Sequence, residues 1–276
     1  MKSEEIKKIT EQSIQCLAES MRQGKSESLV QYLRLVSRFH RYSLHNVLLI
    51  ALQKPSASYV AGFRAWNKLG RSVRKGEKGI LILAPMVKKV AEEDACHREL
   101  ETKRVVGFRS AYVFDVSQTD GAPLPSLATV SGDPGVYRNR LTQFAVSQSI
   151  SVSYSSEIAP ARGVSIGGKI LLLPGMTVAE EFATLAHEVA HELMHRGERR
   201  AATTKTVRET EAEAVAFVVC SAVHLETASA SQDYIGLYHG DSDLLLESLE
   251  YIQRAATGIL SALNLSENPK PEGAGD

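Results

Sequence analysis

Thr184-Leu-Ala-His-Glu-Val-Ala-His-Glu-Leu-Met-His195 sets two histidines four residues apart, with a glutamate directly after the first. On a helix, residues four apart lie one above the other on one face. His187 and His191 can therefore converge on one ion, while Glu188 lies about 100° round the axis and reaches water beside that ion. The chemistry needs these residue types: two neutral imidazoles hold Zn²⁺, and a carboxylate takes the proton from the water that zinc acidifies. His195 continues the four-residue series but lies a further turn along the axis. A straight helix cannot bring three successive histidines to one ion, so His195 is left outside the ligand set.

A site of this kind takes a third protein ligand. Downstream, Val207-Arg-Glu-Thr-Glu-Ala-Glu-Ala-Val-Ala-Phe-Val-Val219 has the pattern of a helix, with Ala and Val repeating on one face. Glu209 and Glu213 share a face, and Glu211 points about 200° away, which predicts that it is solvated. Glu209 is read as the ligand and Glu213 as the carboxylate that hydrogen-bonds a ligand histidine, the reverse order remaining open. The cofactor expected is one Zn²⁺ per chain, although another divalent ion also suits two imidazoles and a carboxylate.

The 276 residues are enough for two modest domains, and a hydrophobic content of 43% is enough for real cores. A net charge of zero hides a division: residues 1–114 hold 21 Lys/Arg against 11 Asp/Glu, and residues 115–276 hold 11 against 21. A basic half joined to an acidic half suggests that the first meets a polyanion; mutual attraction of the halves explains the same split. The N-terminal Met-Lys-Ser-Glu-Glu-Ile-Lys-Lys is without a signal-peptide core, and apolar runs such as Val47 to Leu52 are far too short to cross a membrane. Cys16, Cys96 and Cys220 form no CxxC pair, which excludes a disulfide framework or a thiolate zinc site. A cytoplasmic protein with no membrane partner is expected.

Residues 1–116 read as helices followed by a small antiparallel sheet. An amphipathic helix carries Ile6, Ile9, Ile14, Leu17 and Met21 and ends near Gly24. A second runs from Leu29 to about Leu52, and a short one from Phe63 to Leu69 stops at Gly70. Ile80 to Ala84 and Val105 to Val116 read as strands, with Glu92 to Arg104 an exposed hairpin tip or excursion between them. Residues 117–136, from Gln118-Thr-Asp-Gly-Ala-Pro-Leu-Pro125 to Gly132-Asp-Pro-Gly135, read as a linker. The second domain is placed at 137–265 and a disordered tail at 266–276.

Within the basic half, Arg64, Lys68, Arg71, Arg74, Lys75 and Lys78 fall within fifteen residues, opposed only by Glu77. Tyr59, Phe63 and Trp66 are interleaved with them, and Arg34, Arg38, Arg41, Tyr42 and Asn46 lie upstream. Cations that follow phosphates and rings that stack on bases are what single-stranded nucleic acid binding requires. The nucleic-acid set is therefore Arg38, Arg41, Tyr42, Asn46, Phe63, Trp66, Lys68, Arg71, Arg74, Lys75 and Lys78. Packing in a core is the alternative for the rings, and a solvated loop the alternative for the cations.

Asn46-Val-Leu-Leu-Ile50, Val60-Ala-Gly-Phe-Arg-Ala-Trp66, Leu69-Gly-Arg-Ser-Val-Arg-Lys-Gly-Glu-Lys-Gly79 and Val113-Phe-Asp-Val-Ser-Gln-Thr119 resemble the N-terminal domain of ArdC-type antirestriction proteins. The resemblance implies binding of single-stranded DNA by that domain. The second half, with Lys169-Ile-Leu-Leu-Leu173 before the HEVAH helix, is similar to zincin-like metallopeptidase domains and to the ImmA/IrrE peptidases. It implies an α/β (α+β) zincin core: a small sheet over 150–173, an active-site helix over 178–195 and a third-ligand helix over 206–224. Related sequences often carry Asn or Asp where this one has Glu213, which leaves the order of the two carboxylates open. Three functions are consistent with the resemblance: a DNA-recruited metallopeptidase acting on an unidentified protein substrate, a DNA-shielding protein without proteolysis, and an ImmA-like protease of a repressor. Oxyanion stabilisation by Tyr154, His224 or Tyr234 completes the enzymatic reading.

Overall fold

The computed structural model describes residues 3–22, 27–93, 99–121, 134–225 and 242–265. Most of the expected linker, the tip of the excursion between the strands, the tail, Cys96 and Tyr234 lie outside the described residues. The fold is α+β, a mixture of helices and small sheets. No described helix is long and apolar enough to cross a membrane. By contacts the chain divides into one unit of residues 1–13, 45–124 and 268–276 and a second of residues 14–44 and 125–267. Residues 14–44 thus share a core with the C-terminal half.

Helix α1 spans Ser3–Arg22, α2 Glu27–Arg38 and α3 Leu44–Gln53. The single helix expected from Leu29 to Leu52 is therefore two. The break at 39–43 has a tertiary cause: the carbonyls of His40 and Tyr42 turn out of any helix and accept hydrogen bonds from Thr257 and Gln253. Phe39 and Tyr42 pack edge to face beside them, both buried.

In the first unit, β1 (Val60–Gly62), β4 (Glu99–Asp115) and β3 (Ile80–Glu93) form an antiparallel sheet in the order β1-β4-β3. The pairing of β3 with β4 continues to Glu93 and Glu99, so the described residues of the expected hairpin tip or excursion belong to a long hairpin. Ile80, Ile82 and Ala84 point into the core together with Val113, as the two-residue period requires. The outer edge of β3 is closed by two carboxamides from α3. Asn46 bonds both the N–H and the C=O of Leu83, at 2.8 and 2.9 Å, and Gln53 does the same at Leu81, at 2.9 Å each. Side chains here satisfy backbone groups that an exposed edge would offer to another chain. Helix α4 (Phe63–Lys68) ends at Gly70, whose φ of +71° suits glycine. Strand β2 (Arg71–Val73) then pairs with β5 (Thr119–Gly121), so residues 119–121, expected in the linker, belong to a sheet.

Asp115 ties this unit together. Its carboxylate is buried and accepts hydrogen bonds from the backbone of Ser58, Tyr59 and Ser117 and from the Ser117 hydroxyl. Burial pushes the Asp115 carboxyl up, but these donors together outweigh it and hold the group below the ordinary aspartate range.

In the second unit, β6 (Ser151–Tyr154) runs parallel to β8 (Lys169–Leu172), and β7 (Gly163–Ser165) pairs antiparallel with the other side of β8. Helix α5 is Gly135–Ser147, α6 Val178–Met194, α7 Gly197–Ala202, α8 Lys205–Ala222, and α9 Ser242–Leu263. Thr177 and Glu180 form a capping box that starts α6, and the Thr204 hydroxyl caps α8. Helix α8 packs against α2, α6 and α9, and from Ala212 to Cys220 it is buried save for Glu213. It is the central helix of this unit, with little solvent face beyond its first turns.

Asp115→Asn is expected to destabilise the protein by about 1–3 kcal/mol near neutral pH, because buried donors lose a charged acceptor. The folded pKa lies below the unfolded one, so this stabilisation is present above the ordinary carboxylate range and disappears as pH falls through the lowered value. Urea titrations of wild type and variant from pH 7 to pH 2 measure the converging difference.

Candidate metal centre and nucleic-acid interface

His187 and His191 stand on consecutive turns of α6, and Glu209 approaches from the second turn of α8. The His187 and His191 Nε2 atoms are 3.0 Å apart, and each lies 3.5 Å from Glu209 Oε2. Tetrahedral ligands about 2.0–2.2 Å from one ion sit about 3.3–3.5 Å from one another. The two histidine–glutamate separations match that range and the histidine–histidine separation is somewhat shorter; these three residues form a possible metal-binding cluster among the described residues. Glu213 lies behind, with Oε2 3.4 Å from His187 Nδ1. The structure therefore brings Glu209 to the Nε2 side of both histidines and Glu213 to the Nδ1 side of the first.

The imidazoles differ in electrostatics. Burial, with His187 and His195 nearby, pushes His191 down to about 4, so its ring is neutral at pH 7. Burial also works to lower His187, but Glu213, Glu188 and Glu209 outweigh it and raise the ring above its ordinary value. Glu188 is buried beside them. Burial pushes its carboxyl up and the charges of Glu209 and Glu192 add to this, against the pull of His187 and the Ser165 amide. A raised carboxyl pKa suits a group that takes and returns a proton.

Strand β7 fits closely under Glu188. A Cβ added at Gly163 would sit 2.6 Å from the Thr184 methyl and 2.8 Å from both Cγ and Oε1 of Glu188. Two residues along, the Ser165 hydroxyl donates to Glu192 Oε1 at 2.7 Å, and the Gly168 amide donates to Oε2 at 2.8 Å. The second glutamate of the motif thus fastens the strand to α6.

One expectation is overturned. Glu211, expected to be solvated, has no exposed surface. Its Oε2 is 2.8 Å from His195 Nε2, and its Oε1 accepts from Arg199 at 2.6 Å. Burial works to raise this carboxyl, but hydrogen bonds from His195, Ser248 and Arg199 prevail and hold it below the ordinary value. The helical angle was right; the direction away from the ligands leads into other helices, because α8 is central. The all-round apolar run from Ala214 to Cys220 is the signal that identifies such a helix. Among the oxyanion candidates, Tyr154 donates its hydroxyl proton to Glu181 and accepts from Arg138. His224 is exposed in a left-handed turn past the end of α8, about 16 Å along the axis from Glu213.

The residues expected at nucleic acid divide into two groups. Trp66 is fully buried, its Nε1 donating to the Phe114 carbonyl at 2.9 Å, and Asn46 closes the β3 edge. Arg71 hydrogen-bonds Thr119 and the Gly121 carbonyl, and Arg74 pairs with Glu77 and Asp120. These four are structural in position. Lys68, Lys75 and Lys78 are exposed, as is Phe63 at 53%. Arg38 and Arg41 are exposed and Tyr42 buried, all in the second unit. Phe108 and Tyr112, outside the expected set, are 59% and 61% exposed on the outward face of β4 in line with Phe114, whose ring meets Phe63 edge to face at 6.5 Å. Gly79 leaves room there: a Cβ would lie 2.9 Å from Tyr112 Cβ. The alternation of residues 108, 110, 112 and 114 inside a strand was the available signal.

In this α+β chain, two histidines on α6 and a glutamate on α8 make up a cluster that could hold a metal ion. Residues 3–114 match the family model described as the N-terminal domain of anti-restriction factor ArdC, so that segment is an ArdC-type N-terminal domain. An uncharacterized protein of Bacillus anthracis is 22% identical over 286 residues, covering 86% of this chain and 47% of its own length, so the chain spans about half of the curated relative it matches. Similar solved structures are those of the antirestriction ArdC protein from the R388 plasmid. The metal-free form covers 80% of this chain and 85% of its own, at 23% identity and a TM-score of 0.48. The Mn(II)-bound form covers 81% and 89%, also at 23% identity, with a TM-score of 0.46.

Gly163→Ala is expected to keep the fold and drive the Glu188 carboxylate off its present rotamer. A crystal structure of the variant decides this; an unmoved Glu188 would mean that β7 gives way instead.

Proposed function

We propose that the protein is a single-stranded-DNA-binding, divalent-metal-dependent peptide hydrolase of the antirestriction type. The observation that carries the reading is the convergence of His187 Nε2, His191 Nε2 and Glu209 Oε2 within 3.5 Å, with the buried carboxyl of Glu188 beside them. Two imidazoles and a carboxylate suit zinc first and other divalent ions after it. When bound, such an ion supplies Lewis acidity, which makes water nucleophilic at neutral pH and polarises a carbonyl. Glu188 takes the proton of the attacking water and passes it to the leaving amine. A purely structural metal needs no such neighbour. Strand β7 runs past Glu188 and pairs on one side with β8. An extended peptide is the substrate whose backbone such a strand aligns.

In the first unit, the outward rings of Phe63, Phe108 and Tyr112 offer stacking surfaces, and Lys68, Lys75 and Lys78 offer charge to phosphates. Bases stacked on a sheet face and phosphates held by flexible lysines give affinity with little sequence preference. Tyr112→Ala is expected to weaken binding of oligothymidylate by about 1–3 kcal/mol. Lys75→Ala with Lys78→Ala is expected to lower the salt dependence by about 0.7 per charge that meets a phosphate. Fluorescence anisotropy across a salt series measures both; a Trp66→Phe variant that loses affinity as Tyr112→Ala does would place the stacking site elsewhere.

The enzymatic reading is tested by digesting a cell lysate with wild type and with Glu188→Gln, each with and without single-stranded DNA, and mapping new N-termini by mass spectrometry. Glu188→Gln is expected to retain about one metal ion per chain and to lose at least about 10²-fold in rate. New termini confined to wild type and increased by DNA support the proposal and name the substrate. Identical termini in every sample would leave a DNA-shielding protein whose second unit is no general protease. Cleavage of a single repressor, indifferent to DNA, would favour the ImmA-like alternative.

A further inference from the structure

His195 has no exposed side-chain surface, and its two ring nitrogens face two different partners. Its Nδ1 is 3.0 Å from Nδ1 of His191, and its Nε2 is 2.8 Å from Oε2 of Glu211. We propose that His195 and Glu211 form a buried hydrogen-bond relay that holds His191 in the tautomer able to ligate a metal ion, so that both are positioning residues for the centre. The inference rests on the metal-binding reading above and specifies how one of its ligands is prepared.

Donor and acceptor matching fixes the direction of the relay. An ionised carboxylate only accepts hydrogen bonds. Glu211 is kept in that form by the Arg199 guanidinium at 2.6 Å on Oε1, and Ser248 donates to the same carboxylate. The proton between Glu211 and His195 therefore sits on His195 Nε2. In a neutral imidazole the other nitrogen is then an acceptor, so His195 Nδ1 takes its hydrogen bond from His191 Nδ1–H. The lone pair of His191 is left on Nε2, the atom that faces His187 and Glu209. The opposite polarity would place N–H at that atom, where it could bind no cation, and would need either a neutral Glu211 against a guanidinium or a second proton on His195. Arg199 is itself held, with its Cζ 3.3 Å above the Tyr251 ring and Nη1 3.3 Å from Glu247. The first ligand has a different support: His187 Nδ1 meets Glu213 directly, on a half-exposed side chain. The two ligand histidines are thus oriented by separate carboxylates, one in solvent's reach and one sealed behind a second histidine.

The test is Zn²⁺ affinity, measured by competition with a chromogenic chelator, in full-length variants whose folding is checked by circular dichroism. Glu211→Gln preserves shape. Arg199 retains the carboxamide oxygen, the amide N–H₂ then points at His195 Nε2, and the relay inverts. A fall in affinity of about 10–100-fold is expected, with long-range ¹⁵N spectra of the metal-free protein moving the His191 proton from Nδ1 to Nε2. His195→Gln supplies one acceptor and one donor in the same order and should stay close to wild type, whereas His195→Met fills the space with neither and should fall as Glu211→Gln does. Zinc binding by wild type with unchanged affinity and tautomer in Glu211→Gln would overturn the relay and leave the metal site standing. Absence of zinc binding by wild type would overturn both. If Glu211→Gln does not fold, the His195 pair decides: equal affinities of His195→Gln and His195→Met would overturn the relay, and a gap between them supports it.

Discussion

The second unit is organised around one buried negative charge. A carboxylate with no contact to water is tolerated only when every oxygen is hydrogen-bonded, preferably to a cation. Glu211 on α8 meets this condition through His195 at the end of α6, Arg199 on α7 and Ser248 on α9. Four helices are thereby bound to one another through a single group, in a geometry that leaves little freedom for any of them to slide. The face of α8 opposite Glu211 is then presented to α6 at a set height, and Glu209 meets His187 and His191 from there.

The other side of α6 is governed by close approach instead of charge. Gly163 lets the β7 backbone pass within contact distance of Thr184 and Glu188, where any side chain would intrude. Glu192 draws the same strand in through Ser165 and Gly168 and forms an ion pair with Arg196. The HEVAHE segment therefore works in three directions: its histidines face α8, its first glutamate sits under the strand, and its second glutamate anchors that strand. In the first unit the constraints are of the same kind. Asp115 gathers backbone amides, two carboxamides of α3 close the β3 edge, and Trp66 fills the core under Phe114.

Much of the candidate metal centre was legible because helical periodicity is local and rigid. The four-residue spacing of His187 and His191, and of Glu209 and Glu213, places each pair on one face whatever surrounds the helix. Partners across elements were less legible. Asn46 and Arg71 have the chemistry of nucleic-acid contacts, but both satisfy backbone groups of strands distant in sequence. Trp66 stands among cations in sequence and under a sheet in space. Phe108 and Tyr112, in a segment noted only as apolar, are among the rings left outside.

By itself the sequence determined most of the helices and the angular relations of side chains on each, since these follow from backbone geometry within a few residues. It also determined the donor types available to an ion and the basic and acidic division of the chain. Only the tertiary structure decided what lies in each direction. The angle that set Glu211 apart from Glu209 was readable in the sequence, but whether that angle led to water or to His195 and Arg199 depended on α8 being enclosed by α2, α6 and α9. Periodicity specifies how side chains diverge from an axis; burial depends on the neighbours that packing brings to that axis.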